Sequence, residues 1–171
     1  MIIKVVNRFL LALLASYFLS GCESTRSELS TAQKSAIKSE VKAAFEGLVK
    51  AANALDTEQY FFFFDEKKFV GLNGDGTIWQ SLDDLKSVIE PGFGALQKVQ
   101  SLDFTKVKLS VIDANNVILV NEYEQQIELK SGQTLMLAGG GTQVWSKSAG
   151  AWKLVSVSAS NKPVRGTKPT E

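Results

Sequence analysis

The stretch TQVWSKSAGAWKLVSVSAS, residues 142–160, gives the clearest indication of the fold in this chain of 171 residues. Two runs rich in β-branched and aromatic residues, 142–147 and 152–160, flank a short turn that contains Gly150. Runs of this kind joined by a short glycine-containing turn are typical of a β-hairpin. We therefore predict that the domain closes with two antiparallel strands, and that Trp152 covers the end of the core at the start of the last strand.

Two more strand-length runs precede this hairpin, at residues 102–112 and 117–129. The three connections are short and rich in Asn, Gly or Ser, which predicts an antiparallel meander of four long strands. The third run begins at residue 134 and extends to residue 147, so it contains Gly139, Gly140 and Gly141, which predict a bulge or a sharp bend there.

Side chains alternate in character along residues 117–129, which predicts one buried and one solvated face. The predicted buried set comprises Val117, Leu119, Asn121, Tyr123, Gln125, Ile127 and Leu129. The opposite face begins with Ile118 and Val120 and continues with Glu122, Glu124 and Glu128, which are expected to be solvated.

Residues before these strands show helical patterns. Apolar residues recur every three or four positions from residue 37 to residue 52, which predicts a long amphipathic helix with Ser30 as its N-cap. Asp56 is predicted to cap a second, short helix over residues 57–65. That helix carries the aromatic run 60–64, and a helix that is apolar all round is expected to be buried.

A small hairpin is predicted next, because Asn73-Gly74-Asp75-Gly76 has the residue types of a tight reversal. The turn accounts for these residues without a calcium site, and we expect no metal here or elsewhere. Ser81 is predicted to cap a third helix that is interrupted at Pro91 and Gly92, with a last helical stretch over 93–99.

Three helices, a small hairpin between the second and third, and four long antiparallel strands form an uncommon order. This order and the closing hairpin resemble the NTF2-like superfamily of cystatin-like α+β domains, which includes SnoaL-like cyclases, ketosteroid isomerases and scytalone dehydratase. The resemblance covers residues 30–161 and implies an α+β cone, in which three helices pack on a strongly bent antiparallel sheet. It also implies a pocket between the concave sheet and the helices, and homodimers through the outer face of the sheet.

The residues available for chemistry in such a pocket are few. The chain has no histidine, and Ser158 stands where many members of the superfamily carry one in the last strand. A serine without a nearby base cannot shuttle a proton near pH 7. Catalysis would then need a pocket carboxylate or phenol, for which the candidates are Asp65, Glu122, Tyr60 and Tyr123.

The predicted pocket is mainly apolar, with a lining of Tyr60, Phe64, Trp79, Tyr123 and Trp145. We expect no cofactor. The sequence thus favours a non-catalytic domain that binds an apolar small molecule or a partner protein. The alternative is an isomerase, cyclase or dehydratase that uses a pocket carboxylate.

The N-terminus resembles a bacterial lipoprotein signal. Residues 1–8 contain Lys4 and Arg8 but no acid, residues 9–19 are almost wholly apolar, and Leu19-Ser20-Gly21-Cys22 resembles a lipobox. This pattern predicts a signal peptide at residues 1–21, removed in the mature protein. Cys22, the only cysteine, would then carry the acyl lipid (palmitate and related chains) that anchors the protein to the membrane.

The flanking segments and the charge complete the expectations from sequence. Residues 22–29 are predicted to form a lipidated tether, residues 30–161 the domain, and residues 162–171 a disordered tail. Loss of Lys4 and Arg8 changes the formal net charge from +1 to −1, which argues against nucleic acid as a partner.

Glu23 follows the cysteine at the position where an aspartate would favour retention in the inner membrane. We therefore expect the protein to be in the outer membrane, with its domain facing the periplasm.

We predict that Cys22 is acylated. Mass spectrometry of the N-terminal peptide should show a diacylglyceryl adduct, and Cys22→Ser should release the protein from membranes almost completely, because several acyl chains anchor far more strongly than one. Membrane fractionation of the Cys22→Ser variant that matched wild type in detergent-free buffer would contradict the prediction.

Overall fold

The computed structural model describes residues 28–162, so Cys22 and residues 163–171 of the predicted tail lie outside the described residues. The helices are α1 (Thr31–Asn53), α2 (Thr57–Phe62) and α3 (Leu82–Ala95). The strands are β1 (Val70–Leu72), β2 (Ile78–Trp79), β3 (Leu96–Asp113), β4 (Asn116–Leu129), β5 (Thr134–Ser148) and β6 (Ala151–Asn161). Within residues 28–162 no helix has the length and apolar character that a membrane crossing requires.

Helix α1 forms as its sequence predicts. The Ser30 hydroxyl accepts the backbone N–H of Gln33, and the Gln33 side chain accepts the backbone N–H of Ser30, which completes a capping box. The apolar stripe buries Val41, Phe45, Leu48 and Ala51 against the sheet. Burial starts only at Val41, so the first turns of α1 contribute little to the core.

Helix α2 is shorter than predicted, and the expectation that it is buried on all sides is wrong. It ends at Phe62, whose side chain is 59% exposed. The helix ends there because the backbone groups of the next residues form hydrogen bonds with β6 instead. Leu154 donates its N–H to Phe63 O and accepts the N–H of Asp65, and Phe64 forms a parallel bridge with Leu154.

Helix α3 differs from the prediction in two ways. It continues without a break through Pro91 to Ala95. Proline removes the hydrogen bond to the carbonyl four residues earlier, but that residue, Ser87, is exposed, so water can satisfy its carbonyl group. The predicted helical stretch over 93–99 is wrong from Leu96 onward, because residues 96–101 pair with the end of β4 and lengthen β3 to 18 residues.

The sheet has the order β2-β1-β6-β5-β4-β3, in which the four long strands are antiparallel and β1 runs parallel to β6. With the helices on one face, this is the expected α+β architecture. The predicted irregularity at Gly139–Gly141 is absent from the β4–β5 ladder, which is continuous from Asn116↔Ser146 to Glu128↔Thr134. The register shift of β5 lies instead against β6, between Val144 and Trp145.

The predicted alternation along β4 is confirmed in part: Val117, Leu119, Asn121 and Ile127 are buried, whereas Tyr123, Gln125 and Leu129 are only half-buried. The side chains most completely buried in the described part of the chain are Trp145, Leu119, Leu154, Val41 and Val117. Trp152 is also buried, as predicted.

One carboxylate joins α1 to the closing hairpin. Glu40 Oε2 accepts the indole Nε1–H of Trp152 at 2.7 Å and the ammonium group of Lys147 at 2.8 Å. The hydrogen bond from Lys147, followed by that from Trp152, holds the pKa of Glu40 below its ordinary value of 4.5. The ionised form is therefore the form that the fold favours.

We predict that Glu40→Gln lowers the thermal midpoint at pH 7, because it removes the charge that pairs with Lys147. A carboxylate with a depressed pKa stabilises the fold above its unfolded pKa, and this contribution is lost as the pH falls through the folded value. The difference between wild type and variant, measured by thermal unfolding, should therefore shrink below pH 4.5. Glu46→Gln is the matched control, since it removes the same charge from α1 but only the exposed pair with Lys42.

Candidate functional site

On the inner face of the sheet, two polar side chains of β4 lie opposite glycine residues of β5. The β4–β5 register places Tyr123 opposite Gly139 and Asn121 opposite Gly141. A Cβ atom at Gly139 would lie 2.8 Å from Tyr123 Oη and would overlap the carbonyl oxygen of Ser160. Glycine at this position therefore lets the tyrosine ring lie directly on the backbone of β5.

The Tyr123 ring also faces the long helix through an aromatic neighbour. Phe104 on β3 lies 6.4 Å from the Tyr123 ring centroid and 4.8 Å from that of Phe45 on α1. Tyr123 is half-buried, and this burial raises the pKa of its phenol. The group is therefore neutral at physiological pH, where it can share a hydrogen bond but cannot act as a base.

Tyr60 lies in a different aromatic cluster. Its ring centroid is 5.2 Å from that of Phe64 and 5.3 Å from those of Phe61 and Phe93. Burial in this cluster raises the pKa of Tyr60 to about 12. The structure thus separates the two phenols that the sequence analysis considered together.

The two candidate carboxylates serve local structure. Asp65 Oδ1 accepts the backbone N–H groups of Lys67 and Lys68, both at 3.1 Å, and so caps the turn that follows α2. Glu122 lies on the outer face, where its oxygens accept Lys162 Nζ at 2.6 Å and Lys106 Nζ at 3.0 Å. These hydrogen bonds lower the pKa of Glu122, which is the reverse of what a buried general acid requires.

The apolar side chains that were expected to line a pocket lie in the core. Phe64, Trp79 and Trp145 are all buried, and the Trp145 indole donates to Gln143 Oε1 at 2.9 Å. A groove of about 470 Å³ lies between α2 and α3. A second, of about 790 Å³, follows β3 and β4. None of the five predicted lining residues borders either groove, and residues 28–162 contain no cluster of acidic or sulfur ligands fit to hold a metal ion.

The larger groove belongs to a surface that the sequence analysis did not identify. Its lining includes three consecutive cross-strand pairs, Lys106–Glu122, Lys108–Val120 and Ser110–Ile118, on the outer face of the sheet. The last two pairs continue across β5 and β6 to β1. We call these two rows the outer band: Ser110, Ile118, Val144, Ser156 and Val70, and then Lys108, Val120, Thr142, Ser158 and Leu72.

The outer band is accessible and almost free of charge. None of its ten side chains is buried, and only Lys108 is ionisable. The sequence signal for it was the pair Ile118 and Val120 on the face predicted to be solvated. This pair can be recognised as part of a larger surface only when the strand register aligns it with residues of the neighbouring strands.

Comparison with known proteins agrees with this architecture. The model of the SnoaL-like domain matches residues 41–164. No curated protein matches the chain. An NTF2-like superfamily protein from Salmonella enterica is 17% identical, with a TM-score of 0.68 over 81% of this chain and 99% of its own.

Two further solved structures show how varied the proteins of this fold are. One, from Novosphingobium aromaticivorans and named as a scytalone dehydratase, is 12% identical, with a TM-score of 0.71 over 78% of this chain and 89% of its own. The other is the association domain of C. elegans CaMKII, 18% identical, with a TM-score of 0.63 over 77% of this chain and 99% of its own. Likeness at these identities establishes the fold and no particular activity.

We predict that Gly139→Ala destabilises the protein, because the added methyl group displaces the Tyr123 ring and the backbone of β6. Overpacking of this kind costs about 1–3 kcal/mol, measured by chemical denaturation. Gly92→Ala is the control, since nothing lies within 4 Å of its Cβ position and alanine favours the helix. Equal denaturation midpoints for Gly139→Ala and wild type would contradict this prediction and show that the Tyr123 ring and β6 can move to accommodate the methyl group.

Proposed function

The chain belongs to the SnoaL-like family of NTF2-like domains, and we propose that it is a non-catalytic assembly domain of the bacterial cell envelope. In this proposal a lipid on Cys22 anchors it, and the outer band of the sheet binds a partner. The single observation that carries the proposal is the uncharged, accessible outer band that crosses five strands.

The composition of the outer band suits face-to-face packing. Val120 and Val70 are 47% and 50% exposed, and between them lie Val144 and the short side chains of Thr142, Ser156 and Ser158. Extended exposed apolar surface on a soluble domain usually marks an interaction site. Short side chains at the centre leave a flat surface, on which a second sheet can pack at the usual spacing of about 10 Å.

The partner that we propose is a second copy of this chain. A twofold axis through the outer band would place the same nearly neutral surface on both sides, so no large like-charge contact opposes pairing. The ionic cluster of Lys106, Glu122 and Lys162 lies at the border of the band, where it remains at the solvated rim. One neighbour in fold is named as an association domain, and the proposal gives this chain the same kind of role from its own surface.

The absence of suitable acids and bases supports a non-catalytic role. Catalysis near neutral pH needs a group with a matched pKa. The chain has no histidine, Tyr60 and Tyr123 have raised pKa values, and the pKa of Glu122 is lowered. The alternative of an isomerase, cyclase or dehydratase would need a general base, and the two candidate carboxylates, Asp65 and Glu122, are engaged in local hydrogen bonds instead.

A second candidate function is binding of an uncharged apolar small molecule at the inner face. The observation that favours it is the half-buried phenol of Tyr123, which makes no hydrogen bond to any residue among 28–162. Phe104 and the bare backbone at Gly139 border it with neutral groups, and Asn121 lies two residues earlier on the same face of β4. A ligand with one hydrogen-bonding group on an apolar body would suit such surroundings.

The lipid anchor and the location are part of the proposal. They are supported by the lipobox-like run that ends at Cys22 and by the residues that follow it. The outer membrane, with the domain in the periplasm, is the location we propose.

We predict that the purified Cys22→Ser protein is a dimer in sedimentation equilibrium and that Val120→Lys converts it to a monomer, because the new charge would be buried at the interface. Val88→Lys is the matched control. Val88 lies on α3, is also 47% exposed and should leave the dimer intact. Thermal unfolding should show that both variants are folded.

A monomeric wild-type protein would contradict the assembly role. If that monomer also binds an apolar fluorescent probe, and Tyr123→Ala weakens the binding, the small-molecule function would replace the assembly role.

A further inference from the structure

We propose that one end of the sheet faces the lipid bilayer. This end, which we call the near end, comprises the β3–β4 turn at residues 113–116 and the β5–β6 turn at residues 148–151. The inference rests on the lipid anchor in the proposed function and adds to it the orientation in which the membrane holds the domain.

Contacts of α1 show that the helix enters the fold at the near end. Glu40 binds Lys147 and Trp152, the residues that lie just outside the β5–β6 turn. Five residues later, Phe45 contacts Phe104, nine residues from the β3–β4 turn. The helix therefore runs from the near end towards the middle of the sheet.

The two turns form one surface. The backbone N–H of Lys147 donates to Asn115 O at 2.8 Å, which joins the β5–β6 hairpin to the β3–β4 turn. At the opposite end, which we call the far end, the backbone N–H of Lys130 donates to Ala95 O beside the β4–β5 turn. The sheet thus has two distinct ends, separated by the length of its strands.

The first ten residues of α1, residues 31–40, lie at or beyond the near end of the sheet. Residues 31–40 are exposed apart from Lys34 and Ile37, which are half-buried, and the first fully buried residue is Val41. At a rise of 1.5 Å per residue, this segment is about 15 Å long. The point at which the tether joins the domain, Ser30, is therefore at the near end.

The length of the tether excludes the inverted orientation. Ser30 is eight residues after Cys22, which can span at most about 27 Å even when fully extended. Strand β4 has 14 residues, which corresponds to about 46 Å at a typical strand rise. A domain with its far end on the bilayer and its near end pointing away would need a tether longer than the one present.

Charge does not oppose this orientation. Cations and acids are mixed around the near end: Lys34 pairs with Glu28, Lys147 pairs with Glu40, and Lys38, Lys153 and Asp113 lie nearby. Since the end carries no large excess of one charge, the tether rather than attraction to anionic headgroups sets the orientation. The orientation should therefore be insensitive to salt.

The test uses nitroxide labels on Asn115→Cys, at the near end, and on Gln133→Cys, at the far end. Both positions are exposed, and Cys22 is the only native cysteine, so acylation of Cys22 leaves one reactive thiol in each variant. The lipidated proteins are reconstituted in vesicles that contain a nickel-chelating lipid, which relaxes nearby nitroxides at the membrane surface.

We expect relaxation by the nickel lipid to be several-fold greater for the label at residue 115 than for that at residue 133, at low and at high salt. Equal relaxation, or greater relaxation at residue 133, would overturn the orientation. Mass spectrometry of each sample separates the two proposals. A free Cys22 thiol would refute the anchor and the orientation together, whereas an acylated Cys22 with the reverse contrast refutes the orientation alone.

Discussion

The rest of the structure depends on the packing of α1 against the inner face of the sheet. Val41, Phe45 and Leu48 are buried there and belong to the same core cluster as Trp145. Beside this buried stripe, the Glu40 carboxylate binds the indole of Trp152 and the ammonium group of Lys147, which joins the helix to the hairpin of β5 and β6. The packing of α1 thus places the start of the helix at the end of the sheet that carries this hairpin.

The two faces of the sheet differ in chemical character. The inner face supplies the core and a small neutral patch at Asn121 and Tyr123, where burial raises the pKa of the Tyr123 phenol. The outer face holds a band of short and aliphatic side chains. Since a strand places alternate residues on opposite faces, Tyr123 and Glu122 are neighbours in sequence but meet different surroundings. In the assembly role that we propose, a fold known for pockets would act through its outer face.

Much of the fold could be predicted from local sequence, because its signals are local. The capping box at Ser30, the alternation along β4 and the turn at Gly150 each specify structure within a few residues. The failures occur where distant contacts prevail. Phe64 leaves α2 to bridge Leu154, and residues 96–101 become strand because β4 is there to pair with them. The outer band could not be predicted for the same reason, since it exists only after five strands are aligned.

The position of β6 has a consequence for how the protein folds. This last strand lies between β5 and β1, so it joins segments that are more than 80 residues apart, as in the pair Val70 and Ser156. The sheet therefore cannot close before almost the whole chain is available. Contacts between such distant residues are slow to form, because a long loop must close before they stabilise the fold. A chain built in this way cannot complete its sheet until its synthesis is nearly finished, which would suit the export across a membrane that we propose.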